Sequence, residues 1–167
     1  WNETTFKKHF VTPLNISYIK LNLTPEFQTK IDAENNPFLK NSYTDHFISA
    51  IQYSFIFNNQ EINKLKNFSY FRFNFETAGN LLSSINRISN TPANESTGAY
   101  DFLGIRYAEY FKTEFDFRHY LNKKYTSFVQ RIALGVGKPY GNLDVLPFEK
   151  SFFAGGSNGI RAWQART

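Results

Sequence analysis

Residues 68–77 read FSYFRFNFET, and this stretch decides the fold. Phe71, Phe73 and Phe75 fall on one parity and Arg72, Asn74 and Glu76 on the other, the period of a β-strand with one apolar and one polar face. The same period recurs on either side. In HFISAIQYSFIFN (46–58), Phe47, Ile51, Tyr53, Phe55 and Phe57 oppose His46, Ala50, Gln52 and Ser54. In LGIRYAEYFKTEFDFRHYL (103–121), Ile105, Tyr107, Phe111, Phe115 and Phe117 oppose Arg106, Lys112, Glu114, Asp116 and Arg118. TSFVQRIALGVG (126–137) sets Phe128, Ile132, Leu134 and Val136 against Arg131, Ala133 and Gly135, and TPLNISYIKL (12–21) repeats the pattern more weakly through Leu14, Ile16 and Tyr18. The reading is an all-β antiparallel meander of five strands, at about 12–23, 47–58, 68–78, 103–121 and 125–137.

Composition agrees. The 167 residues include 19 Phe and 10 Tyr, an aromatic share that favours strands over helices. The net charge of +5 comes from basic residues scattered singly, so no nucleic-acid footprint is expected. The absence of cysteine excludes disulfides, thiolate metal sites and cysteine nucleophiles from this stretch. The chain opens on Trp1 with no signal segment before it, which reads as a piece of a longer, processed protein.

The links between strands alternate strictly between long and short. In a meander every second link lies at the same end, so the long loops emerge together and the short turns lie opposite, the asymmetry of an outer-membrane barrel. Two long links carry helix patterns. Thr24 and Pro25 open TPEFQTKIDAENN as a cap and first helical residue, and LLSSINRIS places Leu81, Ile85 and Ile88 on one face. A soluble sandwich also alternates, but the run 103–121 far exceeds the usual strand length of about 5–6 residues. A membrane-crossing strand needs about 9–11. On this reading the aromatic faces meet lipid, and Arg72, Glu76, Arg106, Glu114, Asp116 and Arg118 face a wet lumen. An Arg or Lys on the lipid face near the midplane would cost about 2–4 kcal/mol, so the segregation has physical content. Glu109, on the parity of Tyr107 and Phe111, breaks the rule and predicts either a headgroup-level position or a bulge. Five strands fall short of the roughly eight needed for closure, so further strands are expected outside this chain.

Candidate chemistry is sparse. Residues 155–159, GGSNG, fit the G-x-S-x-G elbow around Ser157, but the ten residues that follow hold no Asp or His partner. No Gly-Lys-Ser/Thr completes a phosphate loop. His9, His46 and His119 share no ligand spacing, and Glu114 with Asp116, flanked by Lys112 and Arg118, reads as a salt-bridged wall before it reads as an acid–base pair. Five N-x-S/T sequons, at Asn2, Asn15, Asn22, Asn67 and Asn94, need only the abundance of Asn. No catalytic, cofactor or metal site is assigned, and the protein is expected not to be an enzyme.

The last stretch is more specific. GVGKPYGNLDVLPFEKSFFAGGSNGIRAWQAR, residues 135–166, resembles the BamA/TamA superfamily of outer-membrane assembly barrels, of the bacterial surface-antigen type. In that family a long external loop folds into the lumen and presents a Val/Ile-Arg-Gly-Phe/Trp signature at its tip. The matching positions are Ile160, Arg161, Ala162 and Trp163, preceded by LPFEKSFFAGG from Leu146 to Gly156; Ala162 stands where the family has glycine. The resemblance implies that residues 1–167 are a partial transmembrane β-barrel domain, roughly the seventh to eleventh of about sixteen strands, with the inward loop at about 138–167.

It also implies an outer-membrane location and a role in folding, inserting or translocating other outer-membrane proteins. The implied partners are outer-membrane lipids, client β-barrel proteins and periplasmic or lipoprotein accessory subunits. The edge strands that would pair with a client lie outside this chain. Two alternatives stay open, a two-partner secretion transporter barrel and a soluble lipid-binding β-barrel. Physically, Arg161 on a loop held inside a barrel would lose water and need a carboxylate or carbonyls; Glu114 and Asp116 are the lumen-facing candidates within this chain, and the resemblance implies the strands that follow as the alternative source of partners. Gly155, Gly156 and Gly159 would allow the tight path and close approach that such a loop requires.

Overall fold

A computed structural model describes residues 1–34, 36, 40, 43–61, 66–94 and 98–152. Its elements in chain order are β1 (Asn2–Thr4), β2 (Lys7–Ile19), α1 (Pro25–Ala33), β3 (His46–Asn58), β4 (Phe68–Ala78), α2 (Asn80–Ser89), β5 (Asp101–Phe102), β6 (Ile105–Arg106), β7 (Tyr110–Asn122), β8 (Ser127–Pro139) and a 3-10 turn at Phe148–Lys150. The main sheet runs β1-β2-β3-β4-β7-β8, every pair antiparallel, so five long strands form the expected meander with β1 as a short arm. β5 and β6 make a separate hairpin. The sheet is open; it does not close on itself among the described residues. Links 20–45 and 79–109 and the segment after Pro139 lie at one end, and links 59–67 and 123–126 at the other.

Two strands depart from their expected bounds for identifiable reasons. β2 begins at Lys7, not Thr12, and ends at Ile19. Its register against β3 shifts between Thr12, opposite Gln52, and Asn15, opposite Ala50, so Pro13 and Leu14 together face Ile51. This bulge sits where Pro13 lacks an N–H to give the ladder. It also reverses the phase: His9 and Val11 share a face with Phe55 and Tyr53, while Ile16 and Tyr18 continue that face on the opposite parity. A single alternation rule loses the first half of such a strand.

The run 103–121 is not one strand. Leu103 (φ 54°) and Gly104 (φ 77°) form the two-residue turn of the β5–β6 hairpin, pairing Phe102 with Ile105, and the main ladder starts only at Tyr110. Positive φ at both turn residues matches the twist of flanking strands. The 13 residues of β7 still exceed the about 9–11 that a crossing strand needs, as do those of β2, β3 and β8, and the 11 of β4 meet it. β8 lies two residues later than expected, and α1 and α2 form where their patterns placed them.

Register sorts the side chains into two faces. Phe55, Phe73, Phe115 and Leu134 form one cross-strand row, and Phe57, Phe71, Phe117 and Ile132 the next. Ring pairs knit them together, with centroids 4.9 Å apart for Phe71–Phe115 and 5.8 Å for Phe55–Phe71. Such pairs contribute about 0.5–1.5 kcal/mol each beyond burial. Among the described residues no second sheet covers this aromatic face: Ile51, in an interior strand, is 46% exposed. The buried cluster lies elsewhere. Ile48, Ala50, Ala78 and Tyr110 belong to the opposite, ionic face near the long-loop end, where Leu143 and the partly buried Leu146 pack on them.

Candidate functional site

The ionic face of the sheet and the segment that folds back over it form the site. Cross-strand rows place Arg72 beside Asp116, Asn74 beside Glu114 and Glu76 beside Lys112. Asp116 is 4% exposed and fully engaged: Arg118 grips it with two bonds of 2.9 and 2.8 Å, and Arg131 reaches it at 2.9 Å. The planar guanidinium fork suits that bidentate grip. Glu114 is looser. It accepts from Asn74 at 3.1 Å, pairs with Lys112 at 3.2 Å, and lines a cleft of about 170 Å³ with Gln52, Ser54, Asn74, Glu76 and Lys112. Every acid is thus matched by a cation or an amide, and among the described residues no buried side-chain polar atom lacks a partner. A wall so paired is a fully satisfied polar network, the kind that rigidifies the structure around it.

The segment after Pro139 returns onto this wall. A trough receives it, because Gly135 and Gly137 occupy successive ionic-face positions of β8. A Cβ on Gly135 would stand 2.6 Å from the Phe152 ring, and one on Gly137 would stand 2.7 Å from Leu146 Cδ1, so only glycine leaves room for the two side chains. Lys112 Nζ lies 4.4 Å from the centroid of the Phe152 ring, a cation–π contact. Lys150 Nζ donates to Glu76 Oε1 at 2.6 Å, and the Tyr110 hydroxyl donates to the same oxygen. Glu149 Oε1 meets His46 Nε2 at 2.5 Å, while His46 Nδ1 meets the Thr44 carbonyl. Burial pushes the Glu149 carboxyl up, but the His46 hydrogen bond and the Lys150 charge outweigh it and hold the group below its ordinary range.

Above the wall the three long loops join in a collar. Asn142, 4% exposed, is its hub: its Nδ2 donates to the carbonyls of Tyr100 at 2.6 Å and Tyr107 at 2.8 Å, its Oδ1 accepts from Tyr100 N at 2.6 Å, and its carbonyl accepts from Arg106 Nε at 2.7 Å. Its own N–H donates to Glu109 Oε2 at 2.6 Å. This resolves the parity violation. Glu109 precedes the β7 ladder, so no bulge is needed; it sits buried in the break before β7, pressed between Gly79 (φ 82°) and Gly141 (φ 58°), where a Cβ on either glycine would collide with its side chain. Link 20–45 joins through Tyr43, whose ring lies 5.5 Å from Phe27 and 4.7 Å from Phe148. Burial pushes the Tyr107 phenol above its ordinary value, outweighing the Asn86 hydrogen bond.

Of the residues singled out from sequence, Glu114 and Asp116 lie on the ionic face, and Glu114 pairs with Lys112, which also meets the Phe152 ring of the returning segment. Gly155, Gly156, Ser157, Gly159, Ile160, Arg161, Ala162 and Trp163 lie outside the described residues. The three histidines stay apart: His9 bonds the Tyr53 hydroxyl, His119 the Ser69 hydroxyl, and His46 the segment after Pro139. No cluster of metal-ligating side chains occurs among the described residues. The sequence alone assigned no individual role to Gly137, His46, Glu149, Lys150 or Asn142. Gly135 and Gly137 carried a signal, recurring at period two on the polar parity of β8.

Comparison with known proteins gives one match. The family model described as "Omp85 superfamily domain" covers residues 4–167. No curated protein and no solved structure matches the chain.

Proposed function

This chain belongs to the Omp85 superfamily, and from that premise we propose that it forms part of a barrel that assists the folding and insertion of other outer-membrane proteins without enzymatic chemistry. Members of the superfamily are bacterial outer-membrane proteins associated with protein assembly and secretion. The observation that carries the proposal is the seating of Leu146, Lys150 and Phe152 on the ionic face, opposite an uncovered aromatic face. That arrangement supports a lipid-facing exterior and a lumen that receives the loop at 138–167. Arg161, farther along the loop, then serves as a strut pinned to a lumen carboxylate. Glu114 is better suited than Asp116 within this chain, because Asp116 already holds two arginines.

The resemblance of LPFEKSFFAGG and IRAW to the BamA/TamA pattern suggests the assembly role, but a two-partner secretion transporter would use the same barrel and loop, so the domains that precede the barrel and the experiment below decide between them. Clients, surrounding lipids and accessory subunits are the partners that this role requires. Depletion of the full-length protein in its own cells tests it. Folded, heat-modifiable outer-membrane barrels of several kinds should fall together, and the purified full-length protein in liposomes should speed the folding of an unfolded barrel client. Loss of a single exported protein, with barrel levels unchanged, would overturn the assembly role in favour of secretion.

A further inference from the structure

α2 carries an apolar stripe that no described residue covers. Leu81, Ile85 and Ile88 share one face of the helix and are 52, 47 and 85% exposed. The other side is occupied: Leu82 is buried, and Asn86 donates to the Tyr107 hydroxyl at 3.1 Å. Amphipathic helices ordinarily turn such a stripe toward the core. This one turns it away.

Its place in the fold names the occupant. Gly79 alone separates α2 from β4, so the helix starts where the sheet ends. Asn80 at its start bonds to the aromatic-face side: Nδ2 donates to Thr77 Oγ1 at 2.7 Å, and Oδ1 accepts from the Tyr140 hydroxyl at 2.6 Å. Thr77 lies opposite Ile51 and Phe111 on that face. The helix therefore starts on the aromatic-face side of the long-loop rim, and its stripe begins one residue farther on, at Leu81. Ten residues give a helix about 15 Å long, enough to lie along the rim. A helix of this kind beside a membrane wall rests in the interfacial plane, with its apolar side about 5–10 Å into the boundary between headgroups and acyl chains.

We infer that α2 is an interfacial helix whose Leu81–Ile85–Ile88 stripe docks into the lipid surface around the long-loop end of the sheet. The inference rests on the barrel reading above. It adds a lipid contact made by a loop helix, outside the spanning strands.

The test uses the full-length protein in lipid nanodiscs, with single cysteines placed at Ile85 and Ile88 and at Leu134 on the aromatic face of β8. Each site carries an environment-sensitive fluorophore, and the nanodiscs contain nitroxide lipids labelled either at the headgroup or deep in the acyl chain. Ile85 and Ile88 probes should lose fluorescence mainly to the headgroup nitroxide, and the Leu134 probe mainly to the deep one. Probes at Ile85 and Ile88 that escape both nitroxides, while Leu134 is quenched, would overturn the inference and leave the barrel reading intact. That outcome with blue-shifted emission would mean that protein covers the stripe. A Leu134 probe that also escapes quenching would overturn the barrel reading itself.

Discussion

Lys150 Nζ donates a 2.6 Å hydrogen bond to Glu76 Oε1, pairing the segment after Pro139 with the ionic face of β4 across 74 positions of sequence. Both side chains are largely buried, at 19% and 16% exposure. A bond to a charged group in such surroundings contributes about 1.5–3 kcal/mol. Lys150→Met should weaken the docking of the segment by that order. The Tyr110 hydroxyl would remain on Glu76, so the carboxylate would keep one partner. Protease sensitivity of residues 140–152 in the folded full-length protein is the measurement.

The trough on β8 predicts a steric effect with its own suppressor. Gly135→Ala puts a methyl where the Phe152 ring lies, an overpacking that costs about 1–3 kcal/mol or else expels the ring. Phe152→Ala removes the obstacle. The double variant should therefore lose less than the sum of the single ones, with a coupling of about 0.5–3 kcal/mol as found for side chains in contact. Thermal unfolding of the full-length protein reads the cycle. Strict additivity would show that the two residues do not touch.

Replacement of Asn142 should loosen the collar more than any single loop change. Asn142→Ala removes the partner of one N–H and two carbonyls of Tyr100 and Tyr107, the Tyr107 carbonyl in a buried setting and the Tyr100 groups in a partly buried one. Each orphaned group costs about 1–3 kcal/mol. Asn142→Asp should be no better, since a carboxylate cannot donate to the two carbonyls and would stand close to Glu109. Amide hydrogen exchange at residues 100–108 should rise in both variants.

Acid should release the segment at one end before the sheet opens. The Glu149 carboxyl is held below its ordinary value of 4.5, so its contribution is present above that value and is lost as pH falls through the lower, folded-state one. Exposure of residues 140–152 to protease should therefore rise as the pH drops below about 4.5. In Glu149→Gln the dependence should flatten, with the segment already looser at neutral pH. A segment equally protected at all pH values in both proteins would remove Glu149 from this role.

Arg161 is expected to act as an internal strut. Removing one member of a buried ion pair costs about 3–5 kcal/mol, because the other charge is stranded. Arg161→Ala should lower the temperature at which the folded full-length barrel melts and reduce assembly of clients. Unchanged heat resistance with normal assembly would return Arg161 to solvent.

The strand faces were legible because alternation is a property of the backbone itself. Successive side chains of an extended chain point to opposite sides, so the division between Phe71, Phe73 and Phe75 and Arg72, Asn74 and Glu76 survives any tertiary arrangement. The placement of Glu114 and Asp116 on the ionic face follows from the same rule. It failed where the backbone departed from a regular ladder. Pro13 reversed the phase within β2, and the Leu103–Gly104 turn broke a run that looked continuous.

What the residues determined alone is a local matter: which segments extend, which side of each is apolar, and which links are long. What the tertiary structure decided is who meets whom among the loops. His46 and Glu149 stand 103 positions apart, and Asn142 joins Tyr100 and Tyr107, pairings that no period or spacing encodes. They arise because antiparallel pairing gathers all the long links at one end of the sheet, where buried polar groups must find partners in one another.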